Sequence, residues 1–323
     1  NKVSVLIVDK TGTITEGRPS VEKIFATNES LEKNLLEQIA SLNQYSEHPL
    51  AKAVVKYGKT KGVALSEVND FEAVIGKGVL GSVAGKKTAL GNKKLMDDIK
   101  ASIPGELNAK VVSEQKLGKT VSYIAVDEKV VGYVVISDAI KEASKDAITE
   151  LVNSGIEVIM MTGDNSNTAK AVAEHLNLSA FKADCLPEDK LNMIKELQLQ
   201  GKVVAMAGDG INDSPALAQS DVGIAMGTGT DVAIENSEIT LVKGNLHGIV
   251  KAKNLSHAVM KNIKQNLFFA FFYNMLGVPI AAGVLFPVFG VLLSPMIAAT
   301  AMSFSSVSVI ANSLRLKSVN IDH

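Results

Sequence analysis

Asp9 ends a short apolar run, Val3 to Val8, and is followed by Lys10-Thr11-Gly12-Thr13-Ile14-Thr15. This places a carboxylate nucleophile before a Thr/Gly loop whose backbone N–H groups can cradle an incoming phosphoryl group. A lone aspartate after a strand usually serves a turn or a cap, so the reading needs support from other segments. Thr162-Gly163-Asp164 follows the apolar run Ile156 to Met161, Lys190 lies in Leu186-Pro187-Glu188-Asp189-Lys190, and Gly208-Asp209-Gly210-Ile211-Asn212-Asp213 follows Val203 to Ala207. Thr162 can hydrogen-bond phosphoryl oxygens and Lys190 can neutralise charge developing on them; Asp209 and Asp213 are hard oxygen ligands suited to Mg²⁺, and Asn212 can hold the phosphate or its metal shell. Each has a plainer use: Asp164 as the N-cap of a helix over Ser166 to Leu176, Lys190 as a surface charge, Gly208-Asp209-Gly210 as a tight turn. That all of these plain uses coincide in one chain is the weaker explanation.

These side chains act together only if the strands before them share a sheet. From Ile136 to about Val242 apolar strands alternate with helices, as in a parallel α/β sheet, and Ile156 to Met161 and Val203 to Ala207 are the near-continuous apolar runs of strands covered on both faces. Val3 to Val8 has the same character and is assigned to the same sheet, which makes that domain discontinuous, 1–18 and 136–255, with 19–135 inserted. The insert reads as α+β. It has a helix near Leu31 to Leu42, another from Pro49 to Lys56, Gly-rich turns over Gly76 to Gly81, and paired strands Val121 to Val126 and Val130 to Ile136 across Asp127-Glu128.

Leu267 to Phe286 and Val288 to Ala311 carry no Asp, Glu, Lys, Arg or His. Each exceeds the roughly 18 apolar residues that suggest a bilayer span. A transmembrane hairpin over 256–317 is expected, with spans of about 265–286 and 288–311, a turn at Pro287 and a tail over 318–323; a buried core hairpin is the alternative. Lys251, Lys253, Lys261 and Lys264 before the first run, and Arg315 and Lys317 after the second, put both outer ends on the cytoplasmic side. With 33 Lys+Arg against 34 Asp+Glu there is no basic footprint for nucleic acid, and the single Cys185 excludes an intramolecular disulfide. The chain begins at Asn1 without Met or a signal-type segment and reads as part of something longer.

The run Asp9 to Thr15 resembles the phosphorylation signature of P-type ATPases, members of the haloacid dehalogenase superfamily, and the three later segments resemble further motifs of that family in the same order. The resemblance implies an α/β fold: a haloacid dehalogenase-like Rossmann phosphorylation domain, an inserted α+β nucleotide-binding domain, and the membrane hairpin. It implies ATP and Mg²⁺ as cofactors and Asp9 as the residue phosphorylated. Lys10, Thr11, Thr162, Gly163, Asp164, Lys190 and Asn212 would surround Asp9, and Asp9, Thr11, Asp209 and Asp213 would hold Mg²⁺. Soluble phosphatases of the superfamily resemble the same loop but usually carry a second Asp at the position of Thr11. Without that general acid/base no neighbouring group activates water, so the phosphoenzyme should persist. A catalytically silent membrane scaffold is a third reading, opposed by the intact Asp9, Asp209 and Asp213.

Gly76 to Gly81 matches Gly-x-Gly-x-x-Gly, a weak dinucleotide fingerprint that here lacks both the leading apolar strand and the following long helix. By itself His48 is an exposed residue before a helix N1 proline. Together, Ser46-Glu47-His48-Pro49, Gly76-Lys77-Gly78 and Gly91-Asn92 resemble the nucleotide-binding domain of heavy-metal P-type ATPases. That resemblance assigns adenine contact to Glu47 and His48 and close backbone approach to Gly76 and Gly78, with Asn92 in the same site.

Neither apolar run holds Asp, Glu or Lys, which suits hard ions poorly, whereas the Met302 thioether and the neutral Tyr273, Asn274 and Ser306 suit Cu(I). Methionine filling a gap and serine at a helix contact are the plainer uses. The spacing of Asn266, Tyr273-Asn274, Pro279, Pro295, Met302, Ser305-Ser306 and Asn312 resembles the Cu(I)-transporting subgroup; zinc and cadmium pumps place a Lys and an Asp in these spans. This second resemblance implies ATP-driven export of Cu(I) through an aspartyl phosphate across a plasma (inner) membrane, with Ag(I), Cu(II) or Zn(II) as other cargo. The upstream actuator domain, earlier transmembrane helices, membrane lipid and a copper chaperone are the implied partners, and the chain alone should not transport.

Overall fold

The computed structural model describes residues 2–28, 31–227, 229–284, 286–290 and 295–319, with the side chains of 211, 274, 281, 288, 289 and 295–302 outside the description. In chain order β1 (Val5–Asp9) leads to β2 (Ser20–Ala26), α1 (Glu32–Asn43), α2 (Pro49–Thr60), β3 (Val68–Val74), β4 (Gly78–Val83), β5 (Lys86–Gly91), α3 (Lys93–Asp98), α4 (Gly105–Gln115), β6 (Thr120–Val126) and β7 (Lys129–Ser137). Then come α5 (Ser144–Asn153), β8 (Glu157–Met161), α6 (Ser166–Leu176), β9 (Ala180–Lys182), α7 (Pro187–Leu199), β10 (Val204–Gly208), α8 (Ser214–Gln219), β11 (Val222–Met226), α9 (Asp231–Glu235) and β12 (Ile239–Leu241). The last helices are α10 (His247–Ala281), α11 (Phe286–Phe289) and α12 (Pro295–Leu314).

The strands form two six-stranded sheets. One is wholly parallel, in the order β12-β11-β10-β1-β8-β9. β1 lies at its centre with all five residues buried, which is why its sequence is continuously apolar. In register, Asp9 pairs with Met161 and Val8 with Ala207. Parallel strands end on the same side, so Asp9, Thr162 and Asp209 emerge together at the carboxyl edge.

The second sheet, β2-β7-β6-β5-β4-β3, is antiparallel and interrupts the first between β1 and β8. The helices α1 and α2 pack on one face, with Ile39, Leu42, Val54, Ile124, Val134 and Ile136 in that core. Met96, Val111, Val121, Tyr123 and Tyr133 form a second core around α3 and α4. The β6–β7 turn carries positive φ at Asp127 (48°) and Glu128 (65°), as a two-residue hairpin of type I′ requires.

One expectation about the insert is corrected. Gly76 to Gly81 is not a run of turns: only Gly76-Lys77 turns, and Gly78 already belongs to β4, paired with Gly91. A Cβ on Gly78 would lie 2.3 Å from Leu90 O, so glycine is needed there for strand contact. The plainer use of Asp164 as a helix cap is excluded: Asn165 caps α6, its side chain accepting from the backbone N–H of Asn167 at 3.0 Å and Thr168 at 3.1 Å.

The chain divides into two compact units, Asn1–Gly248 and Ile249–His323. In the second, Asn262 Nδ2 donates to Asn312 O at 2.7 Å, Asn312 Nδ2 to Asn266 Oδ1 at 2.9 Å, and Asn266 Nδ2 to Ser313 Oγ at 3.0 Å, joining α10 to α12. The expected span over 265–286 falls on α10, which starts far earlier, at His247, and ends at Ala281; Pro287 lies in α11 rather than in a turn. Among the described residues no helix is long and apolar enough to cross a membrane.

Gly132 tests the insert. A Cβ there would stand 2.2 Å from Phe25 O on the paired strand β2, a backbone atom that can yield only by parting the strands. Gly132→Ala should cost about 1–3 kcal/mol, read as a lower urea midpoint; an unchanged midpoint would show that β2 and β7 can separate freely.

Candidate active site

Lys190 is the hub of the carboxyl edge. It comes from the first turns of α7, which Pro187 starts and Asp189 caps by accepting from Leu186 N at 2.7 Å. Its ammonium donates to Asp9 Oδ1 at 2.5 Å and to Asp213 Oδ1 at 2.6 Å, and all three side chains are buried. Asp209 completes the group: one carboxylate oxygen from each of Asp9, Asp209 and Asp213 lies within 4.8 Å of the others.

Three carboxylates and one ammonium leave two negative charges in a desolvated space. Burial therefore dominates, and the neighbouring carboxylates add to it: Asp9 is pushed up to about 6, by burial first and Asp213 next, with Lys190 opposing. Asp209 is pushed up to about 7 by burial, then by Asp9 and Asp213. Burial alone would lower the Lys190 pKa, but the two carboxylates outweigh it and hold the ammonium charged. A divalent cation with a preference for hard oxygen matches both the residual charge and the donor set, so these residues fit Mg²⁺.

The loop after Asp9 is shaped by close approach. Gly12 has φ +73°, and a Cβ on it would lie 1.6 Å from Asp209 Oδ2, so only glycine lets the loop pass the carboxylate. Thr11 is half-buried in this loop. Lys10 forms an ion pair with Asp164, whose pKa is held down because Lys10 and its hydrogen-bond donors outweigh the effect of burial. Thr162 Oγ1 donates to Asp164 Oδ2 at 3.0 Å. Gly163 and Asn212 are exposed at the rim.

The structure thus brings together Asp9, Lys10, Thr162, Asp164, Lys190, Asp209 and Asp213. It also shows a residue the motifs do not announce. Lys141 is buried and donates to Gly12 O at 2.5 Å, Thr13 O at 3.2 Å and Gly244 O at 2.6 Å, tying the loop after Asp9 to the segment before α10. Its one signal in the sequence is a cation four residues past β7.

On the insert, Asn92 caps α3 by accepting from Leu95 N at 3.1 Å, and its Nδ2 donates to Gly76 O at 2.8 Å, so these two predicted residues meet. His48 caps α2, its Nδ1 accepting from Leu50 N at 3.2 Å. Its ring keeps solvent contact, yet surrounding atoms desolvate it enough to lower its pKa against the pull of Asp164. Glu47 is exposed beside it. The insert also reaches the loop that leads into α7: Lys94 Nζ lies 3.1 Å from Asp184 Oδ1. In the second unit Tyr273 OH is 3.4 Å from Ser308 Oγ; Ser306 lies on α12, and the side chains of Asn274 and Met302 are outside the described residues.

Residues 3–221 match the model of the haloacid dehalogenase-like hydrolases. The chain is 52% identical over 320 residues to a copper-exporting P-type ATPase of Legionella pneumophila, covering 99% of this chain and 43% of that protein. It is 51% identical over 322 residues to a silver exporting P-type ATPase of Salmonella typhimurium, covering 99% of this chain and 39% of that protein. Among solved structures, a zinc-transporting PIB-type ATPase in an E2.Pi state superposes with a TM-score of 0.67 at 32% identity, over 98% of this chain and 50% of that one. The catalytic domain of a CPx-ATPase gives a TM-score of 0.60 at 31% identity, over 75% of this chain and 85% of that one. The chain belongs to the haloacid dehalogenase-like hydrolases and, within them, to the heavy-metal P-type ATPases. It spans less than half the length of these curated relatives.

The raised carboxylates set a pH dependence. The fold keeps protons on Asp9 and Asp209 that the unfolded chain loses near 3.8, so stability is full below that value and falls as pH rises towards about 6 and 7. In Mg²⁺-free buffer Asp209→Asn should raise Tm at about pH 8 by about 2–4 °C, as ~1 kcal/mol does for a unit of this size, with no gain at about pH 4. Millimolar Mg²⁺ should erase the difference by stabilising the wild type. Equal Tm at pH 8 without Mg²⁺ would contradict the excess of charge.

Proposed function

We propose that this chain is the phosphoryl-transfer and C-terminal membrane portion of an ATP-driven Cu(I) exporter, working through an aspartyl phosphate on Asp9. The observation that carries the reading is the meeting of Asp9, Asp209, Asp213 and Lys190 at one sheet edge. An Asp9 carboxylate oxygen attacks the γ-phosphorus of ATP, the bond from that phosphorus to the bridging oxygen breaks, and ADP leaves with the electron pair. No proton moves, so Asp9 must be ionised, which its pKa of about 6 permits at neutral pH. Asp9, Thr11, Asp209 and Asp213 would hold Mg²⁺, which when bound would supply positive charge against the phosphoryl oxygens. Lys190 neutralises the charge gathering on the equatorial oxygens, and Thr162 and Asn212 hydrogen-bond them. With Thr11 in the loop instead of a carboxylate, water finds no base and the acyl phosphate lasts.

Residues 1–18 and 136–255 form the phosphorylation domain in this reading, and 19–135 the nucleotide-binding domain. Glu47 and His48 take the adenine, and the Gly76–Asn92 contact shapes the turn beside Gly78 that receives the nucleotide. Residues 256–317 are the membrane hairpin. Its support is the pair of uncharged runs and the exposed Phe268, Phe271, Met275, Leu276 and Val278 on α10, surface that water penalises. Tyr273, Asn274, Met302 and Ser306 are the Cu(I) ligands contributed by this part of the pump, beside those of the upstream helices; the actuator domain, membrane lipid and a copper chaperone complete its partners in the plasma (inner) membrane. The relatives named for copper and silver favour a soft monovalent ion.

Incubation with γ-labelled ATP and Mg²⁺ should give an acid-stable, hydroxylamine-labile label that Asp9→Asn does not acquire. An unlabelled wild type, or a labelled variant, would end the proposal. In the full-length pump Cu(I) or Ag(I) should stimulate turnover; stimulation by Zn²⁺ alone would overturn the choice of ion.

A further inference from the structure

Asp164 has a partner from the inserted sheet. Thr120 opens β6, in register with Ile136 of β7, and its Oγ1 donates to Asp164 Oδ1 at 2.8 Å. The other oxygen of Asp164, Oδ2, receives Lys10 and Thr162. Lys10 in turn follows Asp9 directly in the chain, so its side-chain anchor fixes the start of the loop at the Asp9 peptide. A continuous path therefore runs from the insert to the phosphoryl acceptor: Thr120 to Asp164 and Asp164 to Lys10 by contact, Lys10 to Asp9 through the peptide bond. The Lys10 and Asp164 side chains are 8% and 9% exposed, so water offers little substitute for a lost donor.

The flanks of Thr120 are also fixed. Thr168 Oγ1, at the start of α6, donates to Lys119 O at 2.8 Å, and Asn167 Nδ2 donates to Gln115 Oε1 at 3.3 Å. Lys119 Nζ lies 2.5 Å from Glu22 Oε2 on β2. These contacts hold the segment against the parallel sheet without touching Asp164. Only the Thr120 hydroxyl reaches from that segment into the acid–base pair beside Asp9.

We propose that Thr120 is a positioning residue for phosphoryl transfer. Its hydroxyl occupies Oδ1 of Asp164, leaving Oδ2 for Lys10 and Thr162, and so makes the setting of the acceptor loop depend on the docked insert. Without that donor the carboxylate is free to rotate and take Lys10 with both oxygens, drawing the loop away from its setting. The inference rests on the reading of Asp9 as the acceptor.

The test uses the full chain, with Thr120→Val keeping shape but removing the donor and Thr120→Ser keeping the donor. The rate of hydroxylamine-labile labelling is measured from ATP and from acetyl phosphate, a donor with no base to fill the insert. Thr120→Val should lower the rate constant about tenfold with both donors, leave KM for ATP within about twofold, and be largely rescued by Thr120→Ser. Asn167→Ala, which cuts the neighbouring contact alone, should label at the wild-type rate. The inference is overturned if Thr120→Val labels like wild type, if only KM for ATP moves, if Thr120→Ser is as slow as Thr120→Val, or if Asn167→Ala is equally slow. Should Thr120→Val not fold, Thr120→Ala is compared with Thr120→Ser by the same criteria. A wild type that labels from neither donor would instead defeat the reading of Asp9.

Discussion

One ammonium held between buried carboxylates organises the centre of this molecule. Lys190 lies 2.5 Å from Asp9 and 2.6 Å from Asp213, with Asp209 close by. Removing a charge from water is costly, and a single cation does not offset three anions, so the site is short of positive charge until a divalent ion enters. That shortage, met by hard oxygen donors, is what makes these residues a fit for Mg²⁺. Burial first, and the neighbouring carboxylates after it, raise the pKa of Asp9 and Asp209, linking the fold's pH response to the same site.

The parallel sheet makes this concentration of charge achievable. Its strands are apolar and covered on both faces, and they end together, so side chains just beyond three strands meet without any one loop having to be long. Glycine at position 12 then lets the acceptor loop pass within contact of Asp209, and Lys141 fastens that loop through its carbonyls. Rigid strands and a pinned loop fix the charged groups in place, the arrangement that electrostatic stabilisation requires.

The antiparallel sheet inserted between β1 and β8 has a separate core, yet it is not a passive appendage. Thr120, Lys119 and Gln115 contact α6 and Asp164, and Lys94 approaches the loop leading to Lys190. The inserted sheet is thereby mechanically joined to the groups gathered at the carboxyl edge of the parallel sheet.

Much of this was legible in the residues. The apolar strands, the helices beginning near Leu31 and at Pro49, the hairpin across Asp127-Glu128 and the acidic cluster follow from local patterns, because burial period, proline and turn chemistry act over a few residues. Glycines misled at Gly78, where strand contact, not a turn, demands them; the cap of α6 fell to Asn165, whose side chain reaches the free N–H groups, so the plainer use of Asp164 does not hold. Lys141 and Thr120 were invisible because their partners lie far away in the chain and carry no motif: Gly12 and Gly244 for one, Asp164 for the other. The sequence by itself determined which groups are available and what chemistry they suit. Tertiary structure alone decided which of them share a charge, since that depends on distance and on exclusion of water.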